Sequence, residues 1–511
     1  MILILSFSML TLTFNFPIVK ADTTITVYPT GIYPDDVENI QWVLDNYIED
    51  ITIILEAGTF NFGTDGSVNL SNDGVYVQIT ITGTVDAFEQ PLTTISGGSS
   101  AFVVDSSTVS FEIGNITFTQ SRGKAIEITA CAEGIIENCE FTDVQPSIDE
   151  LDASAIFASE IDGIIANLII RNNEIDLFLD DPESDPNCDD SIGVFVNYMH
   201  NTQQILEIDG NSIRNVPDAS IFVNGFHGEI AIIEDNSVAQ RLHLNEDSLK
   251  FGIAIFTSDN ILIRSNSLFL NPFSSVVGKI AMILSDVLDS TIEDNFIDYT
   301  VGLGILANGL DYSLIQANTF STILAVPFGV TPIRVTGSHD TIIRENSIER
   351  SGTYGLFIDS SASCEITDND LSTFTASYAQ LYFGSDAHDN MVIDTEFGNG
   401  MPIIDEGYNN IVIPPLQLDW QYVFEDEKHG TTLKIDVSKQ IFQFVAPGKD
   451  FSIKKAENMK IGRNSIVIRY EDKGIQMIAT IIMKKAISCY ARVKDLQTGN
   501  KYNLIAQQIP E

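Results

Sequence analysis

Ile233-Glu-Asp-Asn236-Ser-Val238, Ile263-Arg-Ser-Asn266-Ser-Leu268 and Ile292-Glu-Asp-Asn295-Phe-Ile297 are three consecutive copies of one hexapeptide: an apolar residue, two variable residues, Asn, one residue, and a second apolar residue. Before them stand Ile170-Arg-Asn-Asn173-Glu-Ile175 and Ile208-Asp-Gly-Asn211-Ser-Ile213. After them come Ile315-Gln-Ala-Asn318-Thr-Phe320, Ile343-Arg-Glu-Asn346-Ser-Ile348 and Ile366-Thr-Asp-Asn369-Asp-Leu371. The Asn-to-Asn spacings are 38, 25, 30, 29, 23, 28 and 23 residues. A supersecondary unit recurring at such intervals is the mark of a solenoid. Degenerate copies, with Ile116, Cys139 and Thr395 in the Asn slot, carry the pattern further in both directions.

Each Asn follows a β-branched run such as Ile261-Leu-Ile263 or Thr341-Ile-Ile343, bounded by turn formers such as Ser258-Asp-Asn260. Runs of this length and composition are strands, too short for helices. One strand stacked per turn makes parallel sheets with neighbours about 4.8 Å apart. The Asn then falls at a tight corner, which suits its tolerance of left-handed backbone angles, and successive amides can bond one another as a ladder. The expected fold is all-β: a right-handed parallel β-helix, continuous over residues 51–414. The residue two before each Asn should face solvent. Down the stack it reads Arg171, Asp209, Glu234, Arg264, Glu293, Gln316, Arg344 and Thr367, a mixed-sign ridge suited to weak cross-turn pairing.

The repeat resembles that of the pectin lyase-like right-handed β-helix proteins. It is nearest to the repeat-rich branch that includes periplasmic copper-binding proteins of nitrous-oxide reductase maturation and archaeal surface proteins. The resemblance spans about residues 24–415 and speaks to fold more than to activity. Polygalacturonase-like members carry Asn-Thr-Asp, Asp-Asp, Gly-His-Gly and Arg-x-Lys in that order. Here Gly225-Phe-His-Gly228 holds an extra residue, and Arg122-Gly-Lys124 comes too early, so no catalytic residue carries over.

The ends and flanks divide the chain further. Residues 1–21 form an apolar stretch ending Val19-Lys20-Ala21, read as a secretory signal peptide, with an uncleaved anchor as the alternative because the usual basic start is missing. No other segment is apolar enough to span a bilayer. Residues 22–50 are expected to cap the upper sheet edge. Asp35-Asp-Val-Glu38 has the spacing of a capping box, and Ile40, Val43, Leu44 and Tyr47 fall on one helical face. Residues 1–414 hold 12 Lys+Arg against 60 Asp+Glu, whereas residues 415–511 hold 15 against 11. That charge break, just after Asn409-Asn410, sets a boundary near 415, and the alternating runs beyond it read as a small antiparallel β domain.

So acidic a body repels nucleic acid and anionic lipid. Uronate lyases need a cationic base or a metal beside the scissile unit. The cations off the ridge (Arg122, Lys124, Arg214, Arg241, Lys250, Lys279, Arg334, Arg350) form no family motif. His339 and His388 occupy a turn slot equivalent to Asp259 and read as turn residues, while His200 and His227 lie in or beside loops. Five scattered cysteines are too spread for a disulfide framework; Cys131 and Cys139 read as small buried fillers, with a single disulfide as the alternative and an odd count that leaves at least one thiol without an intramolecular partner. The densest polar feature is Asp180-Asp-Pro-Glu-Ser-Asp-Pro-Asn-Cys-Asp-Asp190, inserted in the longest gap between repeats. Its carboxylates, Asp180, Asp181, Glu183, Asp185, Asp189 and Asp190, are the candidate metal ligands, for calcium, weighed against a solvated acidic loop. The functional expectation is a secreted, periplasmic or cell-surface protein that engages carbohydrate or another cell-envelope component. A polysaccharide-active hydrolase or C5-epimerase and a non-catalytic stalk are the alternatives.

Overall fold

The computed structural model describes residues 23–413 apart from 48–49, 72–76, 145–152, 162, 178–190, 200–203, 217, 241–249, 271–278, 299–301, 324–330 and 398–402, together with the backbone of the strands between 422 and 508. The first unit, Met1–Pro415, and the second, Leu416–Glu511, are separate compact bodies. The second is a nine-stranded antiparallel sheet running from Tyr422 to Gln508.

The first unit is a parallel β-helix of three sheets, wound in the right-handed sense that parallel crossover connections take. Each turn contributes a strand to sheet A, passes the Asn corner into sheet B, and returns through a longer connection to sheet C. In one complete turn Ile205–Asp209 lies in sheet A, Ser212–Arg214 in sheet B and Ala219–Asn224 in sheet C. Parallel pairing in sheet A is unbroken from Thr23–Val27 to Ile411–Ile413. The sheet therefore already includes a strand from the stretch read as the cap.

Register makes the core a set of columns. One inward position of sheet A runs Ile53, Ile81, Ile113, Ile136, Ile170, Ile208, Ile233, Ile263, Ile292, Ile315, Ile343 and Ile366, every one fully buried. Each burial is worth about 1.5–3 kcal/mol, and the strict period of two fixes which residues receive it.

The corner works as a hydrogen-bonded ladder. From Asn173 to Asn369 all eight amides are buried. The Asn236 backbone N–H and Nδ2 both donate to Asn266 Oδ1, at 3.1 and 3.0 Å, and Asn236 Nδ2 donates to Ile208 O at 2.8 Å. The same set recurs at Asn266, Asn295, Asn318 and Asn346. Cys139 fills the slot above Asn173, its N–H donating to Asn173 Oδ1 at 2.9 Å. The left-handed angle, however, belongs to the residue before the ladder Asn: Asn172, Gly210, Asp235, Ser265, Asp294, Ala317, Glu345 and Asp368 all have φ between 53° and 63°. The preceding residue makes the turn, leaving the Asn free to aim its amide inward.

The mixed-sign ridge pairs along sheet A. Arg171 Nε donates to Glu137 Oε2 at 2.7 Å, Arg264 pairs with Glu234, and Arg344 Nε donates to Gln316 Oε1 at 2.9 Å.

The upper end is closed by the helix Asp35–Asn46, which buries Ile40 and Val43 and packs Leu44 against the core, with the extended C-cap residue Tyr47 packing beside it. The capping box does not form. Pro34 is the N-cap residue, and no side chain bonds back to the first turn. Asp36 is instead fully buried, accepting from Thr30 N at 2.6 Å, Thr30 Oγ1 at 2.8 Å and Asn61 N at 2.7 Å. Its carboxylate ties cap to sheet, and Asp35, Asp36 and Glu38 complement the helix dipole. No helix among the described residues is long and apolar enough to cross a membrane.

Candidate functional site

A parallel stack repeats each outward position once per turn, so any residue type favoured there becomes a stripe. On sheet C one such column runs Val103, Glu127, Phe157, Phe195, Phe222, Ala254, Ile283, Leu306, Arg334, Phe357 and Tyr382. Its upper and lower parts differ in chemistry.

In the upper part, Phe157 and Phe195 stack at 4.8 Å and 5°, and Phe195 and Phe222 at 5.1 Å and 7°. Phe256 joins at 5.4 Å, tilted by 32°, while Lys124 Nζ sits 4.1 Å above the ring of Phe157. Beside the rings, Asn224 Nδ2 donates to Asn197 Oδ1 at 2.8 Å and Asn197 Nδ2 to Ser159 Oγ at 3.2 Å. The ring faces are covered by one another and by the ammonium group, so this stack stabilises the scaffold and offers ring edges to solvent.

The lower part is packed less regularly. Tyr354 meets Phe357 at 5.0 Å and 74°, Tyr378 at 5.4 Å and 68°, and Tyr382 at 5.3 Å and 54°. Phe357 and Tyr382 stack at 4.9 Å and 22°, and the Arg334 guanidinium covers Phe357 at 4.7 Å. Phe357 is thus covered by a stacked ring and a guanidinium, whereas the edge-on and tilted contacts of Tyr378 leave its ring to solvent. The strand Thr375–Phe383 carries a register shift opposite Gly352 and Tyr354, and this bulge accompanies the outward turn of Tyr378, which is 49% exposed. Tyr382 Oη donates to Glu406 Oε2 at 2.8 Å, and that bond, more than burial, pushes its pKa up to about 12. Burial is the first cause of the raised pKa of Tyr354. Both hydroxyls are therefore neutral donors at physiological pH. The Nε of Arg334 is buried without a hydrogen-bond partner. The exposed Tyr378 ring, phenolic hydroxyls, a guanidinium and a carboxylate within one patch suit a ligand with an apolar C–H face and a rim of hydroxyls.

Among the described residues singled out from sequence, the histidines, Lys124 and Arg214 have partners of their own. Asp180, Asp181, Glu183, Asp185, Asp189 and Asp190 fall outside the described residues, as do His200 and Arg241. His227 Nδ1 lies 3.1 Å from Asp259 Oδ2, His339 Nδ1 3.3 Å from Asp311 Oδ1, and His388 Nδ1 3.0 Å from Asp389 Oδ2. His339 and His388 flank Ala362 in one corner column, the turn role expected of them. Lys124 pairs with Glu127, and Arg214 with Glu174. Among the cations of the sequence list whose side chains are described, Arg334 is the one that meets the aromatic patch. The patch itself went unread, although Tyr354-Gly-Leu-Phe357 and Tyr378-Ala-Gln-Leu-Tyr-Phe383 are aromatic-rich segments in successive repeats.

This architecture is that of the parallel β-helix proteins. Residues 189–400 match the family model described as periplasmic copper-binding protein (NosD). Among solved structures, the chain is similar to the A-module of the Azotobacter vinelandii mannuronan C-5 epimerase AlgE4, with 12% identity, 74% of this chain and 94% of that one covered, and a TM-score of 0.45. It is also similar to PfbA, a surface adhesin of Streptococcus pneumoniae, with 12% identity, 82% and 96% covered, and a TM-score of 0.36. No curated protein matches the chain.

Copper calls for thiolate, thioether or imidazole donors brought together. Among the described residues no group of three His, Cys, Asp or Glu side chains could hold a metal ion. The three described histidines each face a single carboxylate, and Cys364 is buried with its thiol pushed up to about 11, chiefly by burial. The described histidines, cysteines and carboxylates do not fit copper.

Proposed function

We propose that this is an exported glycan-binding β-helix protein whose ligand lies across Tyr354, Phe357, Tyr378 and Tyr382 on the outer face of sheet C. The supporting observation is the half-exposed Tyr378 ring, held edge-on to Tyr354 beside the stacked Phe357–Tyr382 pair, the buried, unpartnered Nε of Arg334 and the Tyr382–Glu406 hydrogen bond. Sugar C–H groups stack on the electron-rich ring faces, and the hydroxyl rim exchanges hydrogen bonds with phenol, guanidinium and carboxylate. Export rests on the apolar stretch 1–21 and on the periplasmic description of the matching family. No reaction is assigned to the patch, and the proposed activity is binding.

A glycan array probed with the full chain and with Tyr378→Ala, Tyr382→Phe and Arg334→Ala tests the reading. Tyr378→Ala should weaken the strongest array signals at least severalfold while leaving the melting temperature in place, since its ring is half exposed. An array with no signal for the wild-type chain, or signals indifferent to all three variants, would refute it.

A further inference from the structure

Every corner between sheets A and B passes through one or two residues except one. Sheet A strand Val109–Gly114 passes to sheet B strand Ile116–Thr119 through the single residue Asn115. One turn earlier, Val77–Gly83 reaches Thr93–Gly97 only after an excursion over residues 84–92. That excursion is firmly built. Val85 and Pro91 form an antiparallel bridge, and Asp86 N donates to Gln90 O at 3.0 Å. Asp86 Oδ1 accepts from Phe88 N at 2.7 Å and Gln90 N at 3.0 Å. At its foot Thr93 Oγ1 donates to Leu55 O at 2.8 Å.

The tip holds Phe88 with 83% of its surface exposed, among Val85 at 39% and Leu92 at 46%. A rigid loop that keeps a phenyl ring in water forgoes its burial energy, and the loop overhangs a recess. The recess is lined by Phe88, Pro91, Asn138, Glu140, Asn172 and Glu174. Asn138 and Asn172 occupy the left-handed corner position, which turns their amides to the surface. Glu140 and Glu174 are register neighbours on the outer face of sheet B. Glu140 accepts from Thr117 Oγ1 at 3.2 Å, and Glu174 pairs with Arg214.

We infer that this recess is a second saccharide site, which takes a neutral pyranose ring with one face on Phe88 and its hydroxyls on Glu140, Glu174 and the two amides. Carboxylates accept sugar hydroxyls in short charge-assisted bonds, and primary amides can both donate and accept. Glu89 and Glu140 leave the recess negative after Arg214 has balanced Glu174, so a uronate is repelled. The site lies at the A–B corner, away from the sheet C patch, and does not rest on the reading of that patch. With both sites occupied, one molecule would bridge two glycan segments.

The test is titration calorimetry of the full chain with cellohexaose, laminarihexaose and chitohexaose, and with a hexauronate as the anionic arm. Wild type is compared with Phe88→Ala, Phe88→Trp, Glu140→Gln and Tyr378→Ala. At least one neutral oligosaccharide should show a component that Phe88→Ala weakens about tenfold, that Phe88→Trp restores and that Tyr378→Ala leaves unchanged. Because Phe88 is so exposed, its variants should melt with the wild type, which separates lost binding from lost folding. Absence of neutral-sugar binding, binding indifferent to Phe88→Ala, or a Phe88-dependent preference for the hexauronate would each overturn the inference. Binding lost only in Tyr378→Ala would overturn it too while leaving the sheet C reading standing.

Discussion

Replacing Asn266 by Leu should expose what the amide ladder contributes. Asn266 Oδ1 accepts from the Asn236 backbone N–H at 3.1 Å and from Asn236 Nδ2 at 3.0 Å, and its own Nδ2 donates to Ile233 O at 2.8 Å. Leu removes both functions. Asn295 Oδ1 keeps the Asn266 backbone N–H, so the turn below is spared. Two buried main-chain groups, Asn236 N–H and Ile233 C=O, lose these bonds, at about 1–3 kcal/mol each. Burial of the new methyl groups returns about 1.5–3 kcal/mol, leaving a net loss of about 2 kcal/mol. Hydrogen exchange of the Asn236 amide should then accelerate about thirtyfold, with a lower urea midpoint for the first unit. Asn308→Leu is the control, since Asn308 is an exposed asparagine outside the ladder. Unchanged exchange at Asn236 together with an unchanged midpoint would show that the amide bonds add nothing over an apolar corner.

The ladder should also accept an extension: Cys139→Asn places an amide where the thiol now lies 3.8 Å from Ile113 O, and should add about 1 kcal/mol, read from the same denaturation curves. Burial pushes the Cys139 thiol up to about 12 and raises Cys131 and Cys364 as well, so iodoacetamide should label none of the three before unfolding, as judged by peptide mapping. Asp209 has its pKa raised above 3.8, first by desolvation and then by Glu234 and Asp235. The folded state therefore holds that proton more tightly than the unfolded chain, and stability is lost as pH rises through the raised value. Asp209→Asn should accordingly melt higher than wild type at neutral pH, with the gap closing as pH falls below 3.8; a gap that does not change with pH would contradict this.

The hexapeptide was legible because both of its sides are constrained. The Ile column faces a closed core, and Asn alone supplies an inward amide that both donates and accepts at the corner. The left-handed position before it was less legible, since Asn172, Gly210 and Asp235 suit it whereas Ala317 and Glu345 hold it under constraint from the ladder. At the cap, Asp35 and Glu38 had the right spacing, but a buried tertiary demand drew in Asp36 instead. The sheet C patch was hidden for a different reason. Outward positions carry no fixed residue type, so the column that sets Tyr382 beside Phe357 also contains Glu127, Ala254 and Arg334. Its alignment depends on B-to-C connections of varying length, which hide which aromatics share a face. The acidic segment 180–190 is legible as a dense local cluster and lies outside the described residues, whereas a solenoid also gathers surface chemistry across turns.

The uneven spacing of the ladder asparagines has a consequence of its own. Partners bonded side by side stand 38, 25, 30, 29, 23, 28 and 23 residues apart in the chain, yet each contact is the same. The molecule counts laps and is indifferent to how far the chain wanders within one. A length change between corners is absorbed before the next asparagine, so its disturbance stays local. Evolution, or an engineer, can thus graft new segments between sheets B and C while the interior keeps its alignment.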